Sequence, residues 1–195
     1  MTLENLVQRI RACTACETQL AHGVRPIIRL DAAAKILIIA QAPGRIVHET
    51  GIPWNDASGD RLREWFDVDK ETFYNPHNFA IVPMGFCYPG KAKSGDLPPR
   101  KECQTLWFDQ LKPHLQNHQL TLLIGQYAQA YYLAEQHTNV TQNVKNYRQL
   151  LDQNLLALPH PSPRNNIWLK RESWFETDVL PELKQRCQQA LNSND

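Results

Sequence analysis

Four short apolar runs divide the chain, and segments with a different spacing of apolar residues separate them. The runs are "AKILIIA" (34–40), "NFAIVPM" (78–84), "LTLLIG" (120–125) and "NLLALP" (154–159). Each run is nearly continuous in apolar residues, which is typical of a strand that is buried on both faces of a parallel sheet. The pattern therefore predicts four strands that are buried on both faces.

Helical spacing appears before, between and after these runs. The first segment places its apolar side chains on one helical face, behind Thr2 as the predicted N-cap: Leu3, Leu6, Val7 and Ile10. A second, "SGDRLREWF", is predicted to begin at Ser58 as its cap. Three further helices are predicted over 101–115, 126–136 and 176–192, the last with Pro181 in its first turns.

Strands that alternate with helices favour a parallel sheet with helices on both faces. We therefore expect an α/β fold, a three-layer α/β/α sandwich with a mostly parallel four-stranded central sheet. A chain of 195 residues is long enough for one such domain and too short for two domains of ordinary size. A single domain over 1–195 is predicted.

Composition and charge restrict the class of protein. The chain is 42% hydrophobic, contains no run of 18 apolar residues and begins without an apolar signal core, so a cytoplasmic protein without a membrane partner is expected. With a net charge of +1 it is no polycation, and nucleic-acid binding would need a local basic face. The stretch "GKAKSGDLPPRK" (90–101) is one candidate, and a solvated loop explains it equally well.

Three of the four predicted strands end in loops with unusual chemistry. The first gives "QAPG" (41–44), the second "PMGFCYPG" (83–90) and the last "LPHPSPRNN" (158–166). Ligands of parallel sheets bind beyond the carboxyl ends of the strands, so these loops are predicted to meet at one crevice. In the last loop, prolines on both sides of His160 hold the backbone stiff. A fixed imidazole there can donate a hydrogen bond to developing negative charge, although a rigid surface turn would have the same sequence.

The cysteines are unevenly spaced. Cys13 and Cys16 form a CxxC pair, and 15 residues separate Cys87 from Cys103. Four thiolates in a cytosolic protein suit either a [4Fe–4S] cluster or zinc, and the spacing alone does not decide between them. Cys187 shares a helical face with Leu180 and Leu183 and is predicted to be a packed thiol.

Taken together, these motifs resemble the uracil-DNA glycosylase superfamily. "AQAPG" (40–44), then "GIPW" (51–54) and "ASG" (57–59), and finally "HPSP" (160–163) occur in the order of that superfamily's active-site motifs. The four cysteines resemble the ligand pattern of its family-four iron–sulfur enzymes. The resemblance favours a [4Fe–4S] cluster on Cys13, Cys16, Cys87 and Cys103 over zinc.

The resemblance also implies roles for the residues of the motifs. Gln41 would hold the attacking water and His160 would donate to the departing base. Trp54 would stack on the base, and the pocket would be completed by Ala42, Pro43, Gly44 and Pro83. Ser162 and Arg164 would contact DNA phosphates. The expected partner is DNA that contains a damaged base, bound by a monomer.

Two residues depart from the family-four pattern. Gln41 stands where those enzymes carry Glu, and an amide orients water but cannot take its proton. Candidate substitutes nearby are Glu49, Asp56 and His48. Pro83 stands where family-four enzymes carry an Asn that reads uracil, so other groups would have to recognise the base. The candidates for that task are Met84, the backbone of Gly85 or Phe86, and Asn55, Asn75 or Asn78.

The leading hypothesis is a DNA glycosylase that flips and excises uracil or another deaminated base. The alternative is a catalytically weak or inactive protein that binds nucleic acid or nucleotides on the same fold, which Gln41 and Pro83 keep open. Hydrolysis of a free nucleoside is a third possibility, and it would not depend on DNA.

Overall fold

All four predicted strands are present in the computed structural model, which describes residues 2–135 and 138–193. They are β1 (Ile36–Ala40), β2 (Phe79–Pro83), β3 (Leu120–Ile124) and β4 (Leu155–Leu158). The strands form one sheet in the order β2-β1-β3-β4, and every pairing is parallel. In the register at the centre of the sheet, Ile38 lies between Ile81 and Leu122.

Helices connect the strands and complete the outer layers. Their bounds are α1 (Leu3–Arg11), α2 (Arg45–Thr50), α3 (Ala57–Phe66), α4 (Lys70–Tyr74), α5 (Lys101–Cys103), α6 (Asp109–Leu111), α7 (Gln126–Tyr132), α8 (Val140–Lys145), α9 (Tyr147–Leu151), α10 (Asn166–Arg171) and α11 (Leu180–Asn192). Wider π-type turns join α5 to α6 (Gln104–Phe108) and precede α11 (Phe175–Val179).

The strand order fixes which helices share a face. From β1 the chain moves to β2 on one side, and from β2 it returns past β1 to β3 and then β4. Since parallel crossovers are right-handed, α2–α4 and α7–α9 lie on opposite faces of the sheet. α11 packs on α3 and on β1 and β3, while α7 packs on β1 and β3 and α8 and α9 pack on β4. The predicted three-layer α/β/α sandwich is confirmed.

The main core lies on both faces of the sheet. Every residue of β1 and β2 is buried, as their continuous apolar sequences require. Phe66 of α3 stacks on Phe79 of β2, with ring centroids 5.8 Å apart. The same core cluster extends from Leu3 in α1 to Ala190 in α11. Cys187 is fully buried within it, so the prediction of a packed thiol is confirmed.

Helix ends show both correct and wrong predictions. Thr2 caps α1 by accepting from the Asn5 backbone N–H, and Pro181 lies in the first turn of α11, as predicted. The cap of α3 is not Ser58 but Asp56, whose carboxylate accepts from the Gly59 N–H at 2.9 Å. Ser58 is buried inside the first turn. The earlier start was missed because Asp56 is followed by residues without apolar periodicity.

The predicted helix over 101–115 is also not continuous, because its backbone widens to π-type spacing at Gln104–Phe108 and tightens to a 3-10 turn at Lys112–His114. The predicted helix over 126–136 ends at Tyr132, and Gln136 lies outside the described residues. Short helices such as α2 and α4 were not predicted. No helix among the described residues has the length and apolar character needed to cross a membrane.

Candidate active site

A cavity of about 780 Å³ opens at the carboxyl edge of the sheet, between β1 and β3. This is the point where connections leave neighbouring strands towards opposite faces, which is where parallel sheets bind ligands. The structure places all nine residues predicted for catalysis, base binding and DNA contact around this cavity: Gln41, Ala42, Pro43, Gly44, Trp54, Pro83, His160, Ser162 and Arg164. Their individual roles stay predictions.

The end of β3 also contributes to the cavity, although its sequence carries no motif that predicts this. Gly125 follows this strand with φ of +81° and lies between Gln41 and His160. A Cβ on Gly125 would lie 3.7 Å from Oε1 of Gln41 and 3.6 Å from Cβ of His160. Only glycine adopts this backbone conformation readily, so another residue here would be strained, although its Cβ would make only ordinary van der Waals contact with both side chains. In the sequence, the feature that could have indicated this contribution is the glycine at the end of the run "LTLLIG".

The hydrogen bonds of His160 define its protonation state. The backbone N–H of Ser162 donates to Nδ1 at 3.2 Å, so Nδ1 is an acceptor and the neutral ring carries its proton on Nε2. Burial lowers the pKa of His160 from 6.5 to about 4. The imidazole is therefore neutral at physiological pH, with an Nε2–H that has no protein acceptor among the described residues.

Two anchors hold the loop that carries His160. The side-chain amide of Asn165 donates to the His160 carbonyl at 2.7 Å, which closes the loop on itself. Arg61 of α3 donates from one guanidinium nitrogen to the carbonyls of Pro161 and Ser162, at 3.3 Å each. The prolines of "HPSP" restrict the backbone, and Arg61 fixes its position relative to α3.

Trp54 lies beside His160 in a conformation that non-glycine residues rarely adopt. Its φ is +57°, it is buried, and its ring centroid is 5.6 Å from that of His160. The Trp54 carbonyl accepts from Arg63 at 3.2 Å and from the Tyr74 hydroxyl at 3.3 Å. Because left-handed backbone costs free energy in a bulky residue, this conformation must be maintained by its surroundings.

Gly59 is part of those surroundings. A Cβ at this position would overlap the Trp54 carbonyl oxygen. The "ASG" motif therefore provides the space into which the Trp54 backbone folds. A strained aromatic residue in a cavity, held by several independent contacts, is characteristic of a functional site.

Ser162 and Arg164 line the cavity, Ser162 half-buried and Arg164 exposed to solvent. The Ser162 hydroxyl oxygen accepts from the Arg164 backbone N–H at 3.3 Å, which leaves its hydroxyl hydrogen free to donate. The Arg164 guanidinium lies against Gly95, so closely that a Cβ on this glycine would overlap it. Gly95 belongs to a hairpin in which Lys91 pairs with Asp96. Of the basic residues of 90–101, Arg100 forms an ion pair with Glu102.

None of the candidates to replace the family Asn at position 83, Met84 included, is among the described residues that line the cavity. Pro83 is the last residue of β2, opposite Ala40. The next three backbone N–H groups are already bonded, to the carbonyls of Ala40 and Gln41 and to the Cys103 sulfur. Asn75 and Asn78 precede β2 and lie at the opposite sheet edge, and Asn55 is absent from the described lining. The side-chain amides that do line the cavity are those of Gln41, Gln126, Asn139 and Asn165.

Of the three candidate substitutes for the family Glu, Asp56 alone lines the cavity among the described residues. Glu49 forms an exposed ion pair with Arg45 at 3.0 Å. Nε2 of His48 lies 3.0 Å from the His22 carbonyl oxygen.

The four clustered cysteines come from three segments away from the cavity. Cys13 and Cys16 follow α1, Cys87 follows β2, and Cys103 ends α5. Cys16 and Cys87 pack in one small apolar cluster, and the Phe86 N–H donates to the Cys103 sulfur at 3.4 Å. Burial raises the pKa of Cys103 to about 12, with a further contribution from the other three thiols. The four thiols therefore lie within electrostatic range of one another, as ligands of one group would.

Nevertheless, the thiols are not assembled as ligands of a single ion. Within residues 2–135 and 138–193, no three Cys, His, Asp or Glu side chains lie close enough together to hold one metal ion. All four cysteines are free thiols.

The fold and the cavity agree with a comparison against known protein families. Residues 28–184 match the family model described as "Uracil DNA glycosylase superfamily". The match includes every residue named above as lining the cavity, together with Cys87 and Cys103, and begins after Cys13 and Cys16. Since it covers far more than half of the 195 residues, the chain belongs to the uracil DNA glycosylase superfamily.

Proposed function

We propose that the protein is a DNA glycosylase that excises a deaminated base by hydrolysis of the N-glycosidic bond. The observation that carries this proposal is the neutral His160, with a free Nε2–H, beside the buried Trp54 ring in the cavity. A glycosylase must stack an extruded base and stabilise the negative charge that develops on it. Trp54 and His160 are suited to these two tasks.

The reaction divides between these residues. The extruded base stacks on Trp54, and His160 donates from Nε2 to a carbonyl oxygen of the base. As the N-glycosidic bond breaks, its electron pair moves onto the base and that hydrogen bond strengthens. Removal of one such donor typically lowers the rate by about 10²–10³-fold. Gln41, on the other side of Gly125, orients the attacking water with its amide.

Contacts with DNA come from the loop after β4. The hydroxyl hydrogen of Ser162 and the exposed guanidinium of Arg164 border the cavity and would donate to the phosphates that flank an extruded nucleotide. Lys91 and Lys93 extend this basic rim on the hairpin that touches Arg164. Partners other than damaged DNA are not required, and we propose a monomer.

Base choice should be broader than uracil alone. Pro83 presents no side-chain donor or acceptor, and the backbone N–H groups after it are already bonded. A base would therefore meet an apolar wall at the position where an amide reads uracil in family-four enzymes. Selection by shape and stacking fits a set of deaminated bases, among them uracil, hypoxanthine and xanthine.

We also propose that the protein is of the family-four type and holds a [4Fe–4S] cluster on Cys13, Cys16, Cys87 and Cys103, with zinc as the alternative. The chemistry of the donor set fits, because thiolates are the ligands that iron–sulfur clusters and zinc prefer, and Cys16 and Cys87 already pack together in one small apolar cluster. A cluster would tie the segment after α1 to the loop between β2 and α5. It would supply structural connection, since glycosidic hydrolysis moves no electrons.

The second candidate function is a protein that binds nucleic acid or nucleotides without catalysis. Gln41 and Pro83 favour it, because Gln41 replaces the Glu that takes a proton from water in family-four enzymes and Pro83 replaces the Asn that reads uracil.

One experiment separates these functions. The purified protein is incubated with duplex and single-stranded oligonucleotides that contain one uracil, hypoxanthine or xanthine, and abasic sites are then cleaved with alkali. Cleavage only at the deaminated position supports the glycosylase. Binding without cleavage on every substrate would support the binding protein, and release from free deoxynucleosides but not from DNA would indicate a nucleoside hydrolase.

A further inference from the structure

Neither of the two catalytic candidates carries charge. Gln41 is an amide, and His160 is neutral because burial lowers its pKa to about 4. Breaking an N-glycosidic bond leaves positive charge on the sugar, and water must lose a proton when it attacks. A carboxylate elsewhere in the cavity would meet both needs. Among the described lining residues, carboxylates are contributed by Asp56 and Asp96.

Asp56 has one oxygen fixed and one oxygen free. Its Oδ1 accepts from the Gly59 backbone N–H at 2.9 Å and so caps α3. Its Oδ2 lies 3.9 Å from the position that a Cβ on Gly44 would occupy, which directs it towards the "QAPG" loop. The cap therefore restrains the carboxylate of a residue that lines the cavity and leaves its second oxygen beside Gly44.

The segment that leads to Asp56 is rigid as well. Trp54, two residues earlier, is held in its left-handed conformation by hydrogen bonds from Arg63 and Tyr74 and by the space above Gly59. The stacking ring and the carboxylate are thus fixed by the same few contacts at the start of α3. This is the preorganisation that a catalytic group requires.

Asp96 is less suited to the task. Its Oδ2 lies 3.8 Å from the same point at Gly44, but the residue is exposed on the hairpin, and its contact with the Tyr88 hydroxyl is long, at 3.4 Å. An exposed carboxylate is screened by water and interacts weakly with a charge in the cavity.

We infer that Asp56 is a further catalytic residue and supplies the carboxylate that position 41 lacks; this inference rests on the proposed glycosylase function. Water adds its oxygen to the sugar C1′ while the N-glycosidic bond breaks and its electron pair leaves with the base. The proton of that water passes to Oδ2 of Asp56 and from there to the base anion. The products are the free base and an abasic sugar.

The test removes the charge without removing the cap. Asparagine caps helices as well as aspartate does, so Asp56→Asn should keep the folded structure and its melting temperature. The matched control is Asp69→Asn, since Asp69 caps α4 in the same way, accepting from the Thr72 N–H at 2.7 Å, and is not a lining residue. We expect single-turnover base release to fall by about 10²-fold in Asp56→Asn, the lower range for a general base, and to be unchanged in Asp69→Asn.

Rescue makes the test specific. In the Asp56→Asn background, adding Gln41→Glu should raise the rate of base release by about tenfold or more. The same change should raise the rate by a smaller factor in the wild type, because the two carboxylates would perform one task. A wild-type rate in Asp56→Asn, or a loss in Asp96→Asn that exceeds it, would overturn the inference while the glycosylase proposal stands. If the wild type releases no base from any deaminated substrate, both fail together.

Discussion

The ring of Trp54 and the ring of His160 lie 5.6 Å apart between centroids, although 105 residues separate them in the chain. Trp54 is placed by the start of α3, and His160 by the loop after β4. Arg61 connects the two, because it belongs to α3 and donates to the carbonyls of Pro161 and Ser162. One helix therefore positions both the stacking surface and the proposed donor.

The protonation state of His160 gives the first prediction. Its pKa is lowered to about 4 by burial, so the ring should stay neutral down to about pH 5, with its proton on Nε2. The nitrogen and carbon chemical shifts of the imidazole, followed by NMR from pH 8 to pH 5, measure this. Because the folded pKa lies below the ordinary 6.5, protonation opposes folding, and stability linked to this group should decline as pH falls from 6.5 towards 4.

His160→Gln should remove that pH-dependent decline in unfolding free energy. The control is the same substitution at His77, whose side chain is largely in solvent, and the decline in unfolding free energy should remain in that variant. A His160 titration near pH 6.5 would contradict the assignment.

The contact at Gly59 gives the second prediction. Gly59→Ala places a Cβ on the Trp54 carbonyl oxygen, so the backbone must shift, at a cost of about 1–3 kcal/mol in unfolding free energy. The shift also moves the Trp54 ring, and base release should fall. Gly23→Ala is a suitable control, because nothing lies within 4 Å of its Cβ position and its φ is +78°.

Both variants should therefore lose stability, but only Gly59→Ala should lose activity at a temperature where both remain folded. Equal activity in the two variants would show that the conformation of Trp54 is not needed.

The anchor of the His160 loop gives the third prediction. Arg61→Leu removes both hydrogen bonds to the loop and should lower the rate of base release by about tenfold or more, since small displacements of a catalytic group are costly. The affinity for undamaged DNA should change little. Arg186→Leu, which breaks an ion pair with Glu182 on α11, is the control for loss of a surface arginine. An unchanged rate in Arg61→Leu would mean that the prolines alone hold the loop.

The cysteines give the fourth prediction. Protein purified without oxygen should be brown, with about four iron per chain, if the proposed cluster is present. Cys103→Ser should lose the iron and the absorbance, whereas Cys187→Ser should keep both, because Cys187 is buried in the main core. Stoichiometric zinc without iron would contradict the cluster and support the zinc alternative.

Much of the fold could be predicted because parallel strands with helices on both faces are nearly continuous in apolar residues. All four strands fall within the predicted runs, and the loops "QAPG" and "HPSP" meet because they follow strands of the same direction. Parallel strands place all their carboxyl ends at one edge of the sheet, so identifying the strands was enough to predict that these loops meet.

What could not be predicted depends on tertiary contacts. The cap at Asp56 and the left-handed backbone of Trp54 are decided by Gly59, Arg63 and Tyr74, which have no local pattern that indicates the contact. The placement of Gly125 between Gln41 and His160 depends on β3 lying next to β1, which periodicity does not show. The hydrogen bonds of the backbone N–H groups after Pro83 could not be predicted either, because their acceptors lie in distant parts of the chain.

The most direct test of the account is single-turnover base release from duplexes with one uracil, hypoxanthine or xanthine, by the wild type and by His160→Ala, Gln41→Ala and Gln41→Glu. We expect release by the wild type, a loss of about 10²–10³-fold in His160→Ala and a milder loss in Gln41→Ala, because an amide that orients water transfers no proton. Gln41→Glu should be at least as active as the wild type. If Gln41→Ala proves worse than His160→Ala, the assigned roles are wrong; if the wild type binds these duplexes and releases no base, the protein is not a glycosylase.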